Sequence, residues 1–237
     1  MKHSQWLAGV ALASLLVCAP SVHAGNGSEK GWEKVNESDG IQVSVRDVPG
    51  TSLVAVRGEA DVEAPPGKVL QVIMDCGRAK EWVEHLKACR RVRQFSEFEY
   101  VTENHFGTPF VMKDRDFVAR VKISVDPKEQ SVEAFFSSTV DPDAPLTSAI
   151  RGEIIESRYR ILSLDGGKRS HLIGQALVDP KGSVPKWIVN FFQKQWPVST
   201  IRSLRKQVAK LDIVVPEFYQ KLLPWPFAKP PAPVVSK

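Results

Sequence analysis

Few residues of this chain have the types and spacing that catalysis or metal binding requires. Three histidines follow the first 24 residues: His85, His105 and His171. None of them lies at the sequence spacing from another His, Cys or carboxylate that is typical of a metal site. Asp114 and Asp116 stand two residues apart on a predicted strand, which is more typical of a solvated face than of an acid and base pair. We therefore predict no metal, no cofactor and no catalytic residue.

A catalytic alternative stays open on the histidines. His105 or His171 would serve as a general acid or base if its strand turned it into a cavity. The chain contains no glycine-rich phosphate loop before a helix and no G-x-S-x-G motif, so nucleotide binding and a serine nucleophile are not indicated.

Aromatic side chains form the second group of candidates. They are predicted for one face of a sheet, for its rims and for the helix that closes it: Phe106, Phe110, Phe117, Phe136, Trp187, Phe191, Phe192 and Trp196. Ordinary core packing and the lining of a cavity both explain such a set, and the pattern leaves both open.

Alternating apolar and polar residues predict the sheet that positions these side chains. In one strand Phe117, Ala119 and Val121 share a face, while Arg120 and Lys122 lie on the other. Turn residues between the strands predict an antiparallel meander. The predicted strands are 41–46, 54–62, 92–98, 100–106, 117–125, 132–139, 153–164 and 170–178.

Helical spacing predicts the remaining elements. Two short helices follow the first strands, one around Val69, Val72 and Ile73 and one over residues 79–86. A long C-terminal helix of about 27 residues is predicted from residue 183 to residue 211, with a kink or interruption at Pro197. The predicted fold class is α+β, a curved antiparallel sheet covered by this helix.

Composition and charge limit the partners. Of 237 residues 43% are hydrophobic, which is enough for a core, and 32 Lys and Arg stand against 27 Asp and Glu without a basic run. A nucleic-acid partner is not predicted, because it would require a basic stripe on one face. We expect a monomer.

The first 24 residues predict a secretory signal peptide. Lys2 precedes an apolar stretch over residues 6–17, and Val22 and Ala24 place small residues where a signal peptidase cleaves. The protein is then exported to the periplasm or secreted after cleavage near Ala24. Cys18 raises the alternative of a lipoprotein anchor, although Val17 is bulkier than such processing favours.

Two cysteines remain after the predicted cleavage. In an oxidising compartment Cys76 and Cys89 are expected to form a disulfide, and the alternative is two buried thiols that do not meet. The predicted organisation is residues 1–24 as signal peptide, 25–211 as one domain and 212–237 as a tail rich in proline and aromatic residues. The tail has three possible roles, docking on the domain, touching a membrane interface or binding a partner.

Three local motifs in this order resemble a START domain, the lipid-transfer module with a helix-grip fold. They are Trp82 after Val72-Ile73-Met74-Asp75, then Arg115-Asp116-Phe117-Val118, then Asp179-Pro180-Lys181-Gly182 leading into the closing helix. The resemblance covers about residues 32–210 and implies a hydrophobic cavity that holds one lipid between sheet and helix. The residues expected to contact it are Phe106, Phe117, Ala119, Val121, Phe136, Ser138, Tyr159, Trp187, Ile188, Phe191 and Phe192.

The resemblance implies a function with alternatives. The expected role is binding of a lipid or other hydrophobic small molecule without catalysis, extended to its transfer, with transient membrane-surface contact. The runner-up is an enzyme, since helix-grip proteins include cyclases and aromatases, and a third reading is a sensing or assembly module. Sterol specificity is not implied, because Val121 lies inward where sterol-carrying members place a charged residue, and Arg120 lies outward.

Overall fold

The computed structural model describes residues 31–108, 112–183 and 194–222, with the backbone alone at residues 221 and 222. Ten strands and three helices lie in these ranges. They are β1 Glu33–Ser38, β2 Ile41–Asp47, β3 Val54–Val62, α1 Pro66–Met74, β4 Leu86–Gln94, β5 Glu99–Phe106, β6 Arg115–Asp126, β7 Ser131–Ser138, β8 Ile150–Arg151, β9 Glu153–Leu164, β10 Arg169–Asp179, α2 Trp196–Val208 and α3 Glu217–Leu222. None of the helices in the described ranges has the length and apolarity to cross a membrane.

The strands form one antiparallel sheet in the order β1-β2-β3-β10-β9-β7-β6-β5-β4, with the short β8 parallel to the start of β6. Local connections follow the predicted meander from β4 to β10. Bulges interrupt the register in β1, twice in β4, and where the start of β9 pairs with the end of β10. Such bulges bend strands and add twist.

One face of the sheet, which we call the inner face, packs against α1 and α2. Val69 and Leu70 of α1 and Leu204 and Val208 of α2 are almost fully buried there. The apolar positions of both helices recur three or four residues apart. Helix α2 exposes Arg202 and Lys206 on its opposite side, whereas every residue of α1 is buried or half-buried. This two-layer arrangement confirms the predicted α+β class.

A glycine lets α2 approach the sheet closely. A Cβ built on Gly58 of β3 would lie 2.9 Å from Cβ of Pro197 and 3.0 Å from Cδ1 of Ile201. Pro197 itself occupies the first turn of α2, where the missing N–H costs no helical hydrogen bond. Helix α2 begins at Trp196, one residue before this proline, and the predicted segment from 184 to 193 lies outside the described residues.

The second short helix, predicted over 79–86, is a 3-10 helix and ends earlier than predicted. A single 3-10 turn, Ala79–Glu81, is followed by His85 with φ of 62°, a left-handed conformation that a helix does not continue. Leu86 then starts β4, so the strand predicted at 92–98 begins six residues earlier and ends four residues earlier, at Gln94. Two strands were also not predicted: β1, whose residues are mostly polar and exposed, and the two-residue β8.

The chain beyond α2 docks on the same core. Tyr219 of α3 is 2% exposed, and Ile213, Val215 and Phe218 pack against the core residues. Residues 213–220 therefore dock on the domain, which is one of the three roles expected for the tail.

Candidate hydrophobic ligand site

The inner face gathers the predicted site residues that the structure describes. Side chains of directly paired strand residues share a face, and Val121 pairs with Phe136, and Ala134 with Tyr159. Val121 and Ala134 belong to the core under the helices, which fixes the direction of their partners. Seven predicted residues share this face: Phe106, Phe117, Ala119, Val121, Phe136, Ser138 and Tyr159.

Burial divides the inner face into two ends. At the end under α1, which we call the closed end, the inward side chains are at most 9% exposed: Tyr100, Ile123, Val132, Ile161 and Leu172. At the opposite end, which we call the aromatic end, Phe106, Phe117, Phe136 and Tyr159 are half-buried. Apolar surface of the inner face that the described helices leave partly uncovered is therefore concentrated at the aromatic end.

Two aromatic rings at the far edge of the aromatic end contact each other. The rings of Phe106 and Phe117 lie 5.9 Å apart at an interplanar angle of 80°, an edge-to-face arrangement that aromatic pairs favour. Gly152 makes room for Phe117, because a Cβ at this glycine would lie 2.3 Å from the ring. The orientation of Phe117 thus depends on the absence of a side chain at residue 152.

Tyr159 forms the second aromatic pair and borders the closed end. Its ring lies 6.1 Å from that of Phe136, at 85°, and rests over Gly174, where a Cβ would come within 3.1 Å of the ring. Burial raises the pKa of the Tyr159 hydroxyl to about 12, with no charged group contributing. The hydroxyl is therefore a neutral donor in an apolar setting.

Two serines at the aromatic end of the inner face already make hydrogen bonds to the backbone. Ser138 accepts a hydrogen bond from the Ile154 N–H at 2.7 Å, and Ser157 donates to the Gln175 carbonyl oxygen at 3.1 Å. Tyr159 lies among half-buried aromatic rings of this face, and burial is what raises the pKa of its hydroxyl.

The structure separates the remaining predicted residues into two groups. Ala119 and Val121 are 0% exposed, so they form the floor of the inner face and present no accessible surface. Trp187, Ile188, Phe191 and Phe192 lie outside the described residues.

Arg115 belongs to the site region and was not predicted as part of it. This inward residue at the start of β6 is 5% exposed, and its guanidinium donates to the carbonyl oxygens of Lys113, Pro180 and Lys181 at 2.6 to 3.3 Å. It ties the turn after β10 to the edge of the aromatic end. A cation at an inward position of an apolar strand face was the available signal in the sequence.

The titratable residues considered for catalysis lie on the other, outer face. His105 Nε2 contacts Asp114 Oδ2 at 2.9 Å, and His171 Nδ1 contacts Asp61 Oδ1 at 2.8 Å. Both histidines alternate with inward residues of β5 and β10. Neither side chain faces the aromatic end.

The two neighbouring aspartates act separately. Asp114 binds Lys87 and His105, and these two contacts lower the pKa of its carboxyl to about 2. Asp116 is 1% exposed and accepts hydrogen bonds from Arg151 at 2.9 Å and Thr147 at 3.2 Å. They are structural ion-pair partners and do not form an acid and base pair.

Arg120 points away from the inner face, as the alternation predicts. Its guanidinium carbon lies 4.6 Å from the centre of the Phe95 ring, and its Nη2 lies 2.8 Å from Glu99 Oε1. The inner face therefore carries Val121, and no charged pair, at this level of β6.

The cysteines join two elements beside the closed end. A disulfide links Cys76, just after α1, to Cys89 in β4, with the Cα atoms 5.3 Å apart. This is the pairing that the sequence favours over two separate thiols.

Two surface depressions lie away from the aromatic end. One lies beside Asp61, Glu63 and Arg205, and the other beside Asp126 and Arg160. Charged side chains contribute to both, so neither suits an apolar ligand.

Comparison with known proteins places this arrangement in a family. The family model of the START domain matches residues 19–212. The phosphatidylcholine transfer protein of Bos taurus is 27% identical over 179 residues, covering 74% of this chain and 83% of that protein. Human STARD10 superposes with a TM-score of 0.72 at 21% identity, over 86% of each chain. A STAR-related lipid transfer protein of Xanthomonas axonopodis superposes with a TM-score of 0.67 at 21% identity, over 76% of this chain and 99% of that one.

The chain belongs to the START-domain family, and its architecture is the helix-grip fold. The resemblance on which the sequence analysis relied is thereby confirmed.

Proposed function

We propose that this protein binds a lipid or similar hydrophobic molecule at the aromatic end of the inner face and transfers it between membranes. The observation that carries the proposal is the set of half-buried aromatic residues, Phe106, Phe117, Phe136 and Tyr159, on the inner face of a START sheet. An apolar ligand that covers these rings would complete their burial. The names of the relatives, which include phosphatidylcholine and StAR-related lipid transfer proteins, support the same ligand class.

Hydrophobic contact alone is sufficient to hold such a ligand. Removing some 400 Å² of apolar surface from water contributes about 10 kcal/mol at 25 cal/mol per Å², before the costs of ordering the complex are subtracted. The neutral hydroxyl of Tyr159 offers one hydrogen bond to a polar group of the ligand.

The proposed role is not catalytic. His105 and His171, the two candidates for general acid or base, are paired with aspartates on the outer face. A reaction of a bound hydrophobic substrate would require a proton donor or acceptor within hydrogen-bond reach of it. The cyclase or aromatase alternative therefore receives no support from the side chains described on the inner face.

The proposal includes export and action as a monomer at membrane surfaces. The signal peptide predicted over residues 1–24 and the disulfide between Cys76 and Cys89 support an oxidising compartment. Intact mass of the protein purified from its host should correspond to a chain that begins near Gly25, and a chain that retains its first 24 residues would contradict export.

Two neighbouring phenylalanines provide the test of the binding site. Phe136 lies on the inner face and Phe135 on the outer face of β7, where it pairs with Lys122 and Arg158. The assay follows a fluorescent phospholipid moving from donor to acceptor vesicles. Phe136→Ala should slow transfer by on the order of tenfold, because the ligand loses apolar contact. Phe135→Ala should leave transfer unchanged. Equal effects of the two substitutions, or no transfer by the unmodified protein, would contradict the proposal.

A further inference from the structure

The chain continues inside the core after the family match has ended. The START match stops at residue 212, and Ile213, Val215 and Phe218 pack against the core beyond it. Tyr219 is among the largest fully buried side chains, at 2% exposed. This segment therefore adds side chains to the core from beyond the part of the chain that the family model matches.

The added volume lies on the inner face. The ring of Phe218 lies 6.3 Å from that of Phe98 and 4.1 Å from that of Tyr219, and α3 contacts α1. Tyr100, an inward residue of β5, donates its hydroxyl to the sulfur of Met74 at 3.0 Å. Burial, with the neighbouring Tyr100, raises the pKa of Tyr219. Phe218 and Tyr219 thus fill the space between α1 and β5.

This position adjoins the candidate ligand site through two strand pairings. Tyr100 pairs with Val121 of β6, and Val121 pairs with Phe136 of β7. Tyr100 and Val121 are 1% and 0% exposed, whereas Phe136 is half-buried. The change from closed end to aromatic end therefore occurs two strands away from Tyr100, the neighbour of Tyr219 on β5.

We infer that Tyr219 is a specificity-determining residue, which sets the depth of the ligand site and so limits the hydrocarbon length that the protein accepts. The inference rests on the proposed lipid-binding function and names the property of the ligand that this chain selects. Tyr219 occupies the closed end that a longer hydrocarbon would otherwise reach. A residue that only stabilises the fold would leave the preference for chain length unchanged.

The test measures chain-length preference with defined probes. The full-length protein is loaded with a fluorescent fatty acid, which is displaced by saturated fatty acids that lengthen by two carbons at a time. Affinity for the unmodified protein should rise with each step and then stop rising at a limiting length. In Tyr219→Ala the rise should continue for at least one further step, with on the order of tenfold tighter binding of the first acid beyond the limit.

Three further variants make the outcome decisive. Tyr219→Phe keeps the volume and Val214→Ala changes an exposed residue of the same segment, 76% exposed, so both should keep the limiting length. Tyr219→Leu replaces Tyr219→Ala if the alanine variant does not fold, and it should also extend the limit. An unchanged limit in the smaller variants would overturn the inference while leaving lipid binding intact. Failure of the unmodified protein to bind any of the acids would instead contradict the proposed function.

Discussion

Two glycines opposite each other on β3 and β10 determine what the middle of the inner face can hold. Gly58 and Gly174 are direct partners across the two strands. Pro197 and Ile201 of α2 lie against Gly58 of β3, and the Tyr159 ring lies against Gly174 of β10. The position of α2 and the orientation of Tyr159 therefore both depend on this pair of residues without side chains.

Adding one methyl group at Gly58 should loosen this contact. Gly58→Ala places a Cβ 2.9 Å from the rigid Pro197 ring, and we expect a loss of about 1–3 kcal/mol in the free energy of unfolding. Urea denaturation measures the change. Ser124→Thr adds a methyl group at an exposed position of β6 and should leave stability nearly unchanged. Equal stability of Gly58→Ala and the unmodified protein would show that α2 does not sit on this glycine.

Acid should selectively remove the stabilisation that Asp114 provides. Lys87 and His105 lower the pKa of this carboxyl from 3.8 to about 2. A depressed folded pKa contributes stability above the ordinary value, and that contribution is lost as the pH falls through the folded value. The difference in unfolding free energy between the unmodified protein and Asp114→Asn should therefore be constant near neutral pH and shrink between pH 3.8 and about 2.

Exposed Glu97, in the turn between β4 and β5, provides the control for this titration. Glu97→Gln should not reproduce the pH dependence of Asp114→Asn. A difference for Asp114→Asn that stays constant over the same acid range would mean that the contacts with Lys87 and His105 do not stabilise the fold.

Alternation in the sequence predicted the face of most site residues, because a strand buried on one side must separate apolar from polar positions. It placed Phe117 and Val121 inward and Arg120 outward, as the structure has them. It did not predict the contacts of Arg115, because two of the three carbonyl oxygens that accept from its guanidinium come from a turn some 65 positions later in the chain. Nor did it assign Gly58 its role, which is visible only once α2 is in place.

At the scale of elements, the 3-10 turn that follows α1 is joined to the C-terminal end of α2 by hydrogen bonds. Glu81 in the 3-10 turn accepts hydrogen bonds from Arg78, Gln207 and Lys210 at 2.7 to 2.9 Å. Arg78, followed by Lys210 and Gln207, holds the pKa of the Glu81 carboxyl well below its usual range. The disulfide then ties this region to the edge strand β4.

Removing the disulfide should destabilise the protein without unfolding it. The bond closes a separation of 13 residues, for which the loop-entropy model gives about 3 kcal/mol. The double variant Cys76→Ser and Cys89→Ser should lose about this free energy of unfolding and become insensitive to reductant in urea titrations. Identical titrations of the unmodified protein with and without reductant would contradict the pairing.

Elements in which apolar and polar residues alternate regularly were predictable from the sequence. Elements that depend on one residue's backbone conformation or on pairing with another strand were not. Strands such as β6 and β10 alternate over many residues and were placed correctly. The helix predicted over 79–86 followed the spacing of Trp82, Val83 and Leu86, but the left-handed backbone at His85 ends that segment. Polar β1 forms only because the edge of β2 is available for pairing.

At the scale of the whole molecule, the fold forms a curved sheet with an inner face of two kinds. Helices cover this face at the closed end, and aromatic side chains line it at the other end. α1, α2 and α3 complete the closed end with the protein's own side chains. The aromatic end keeps half-buried rings that a hydrophobic ligand would cover. This division of one face between a closed core and half-buried aromatic rings is the basis on which we propose a ligand site.

Native mass spectrometry of the protein isolated from its host tests this division most directly. The account predicts molecules that carry one additional lipid-sized mass, released by organic solvent and restored when the stripped protein is incubated with vesicles. Protein that carries no such mass as isolated, and acquires none from vesicles, would contradict the claim that the aromatic end is a ligand site.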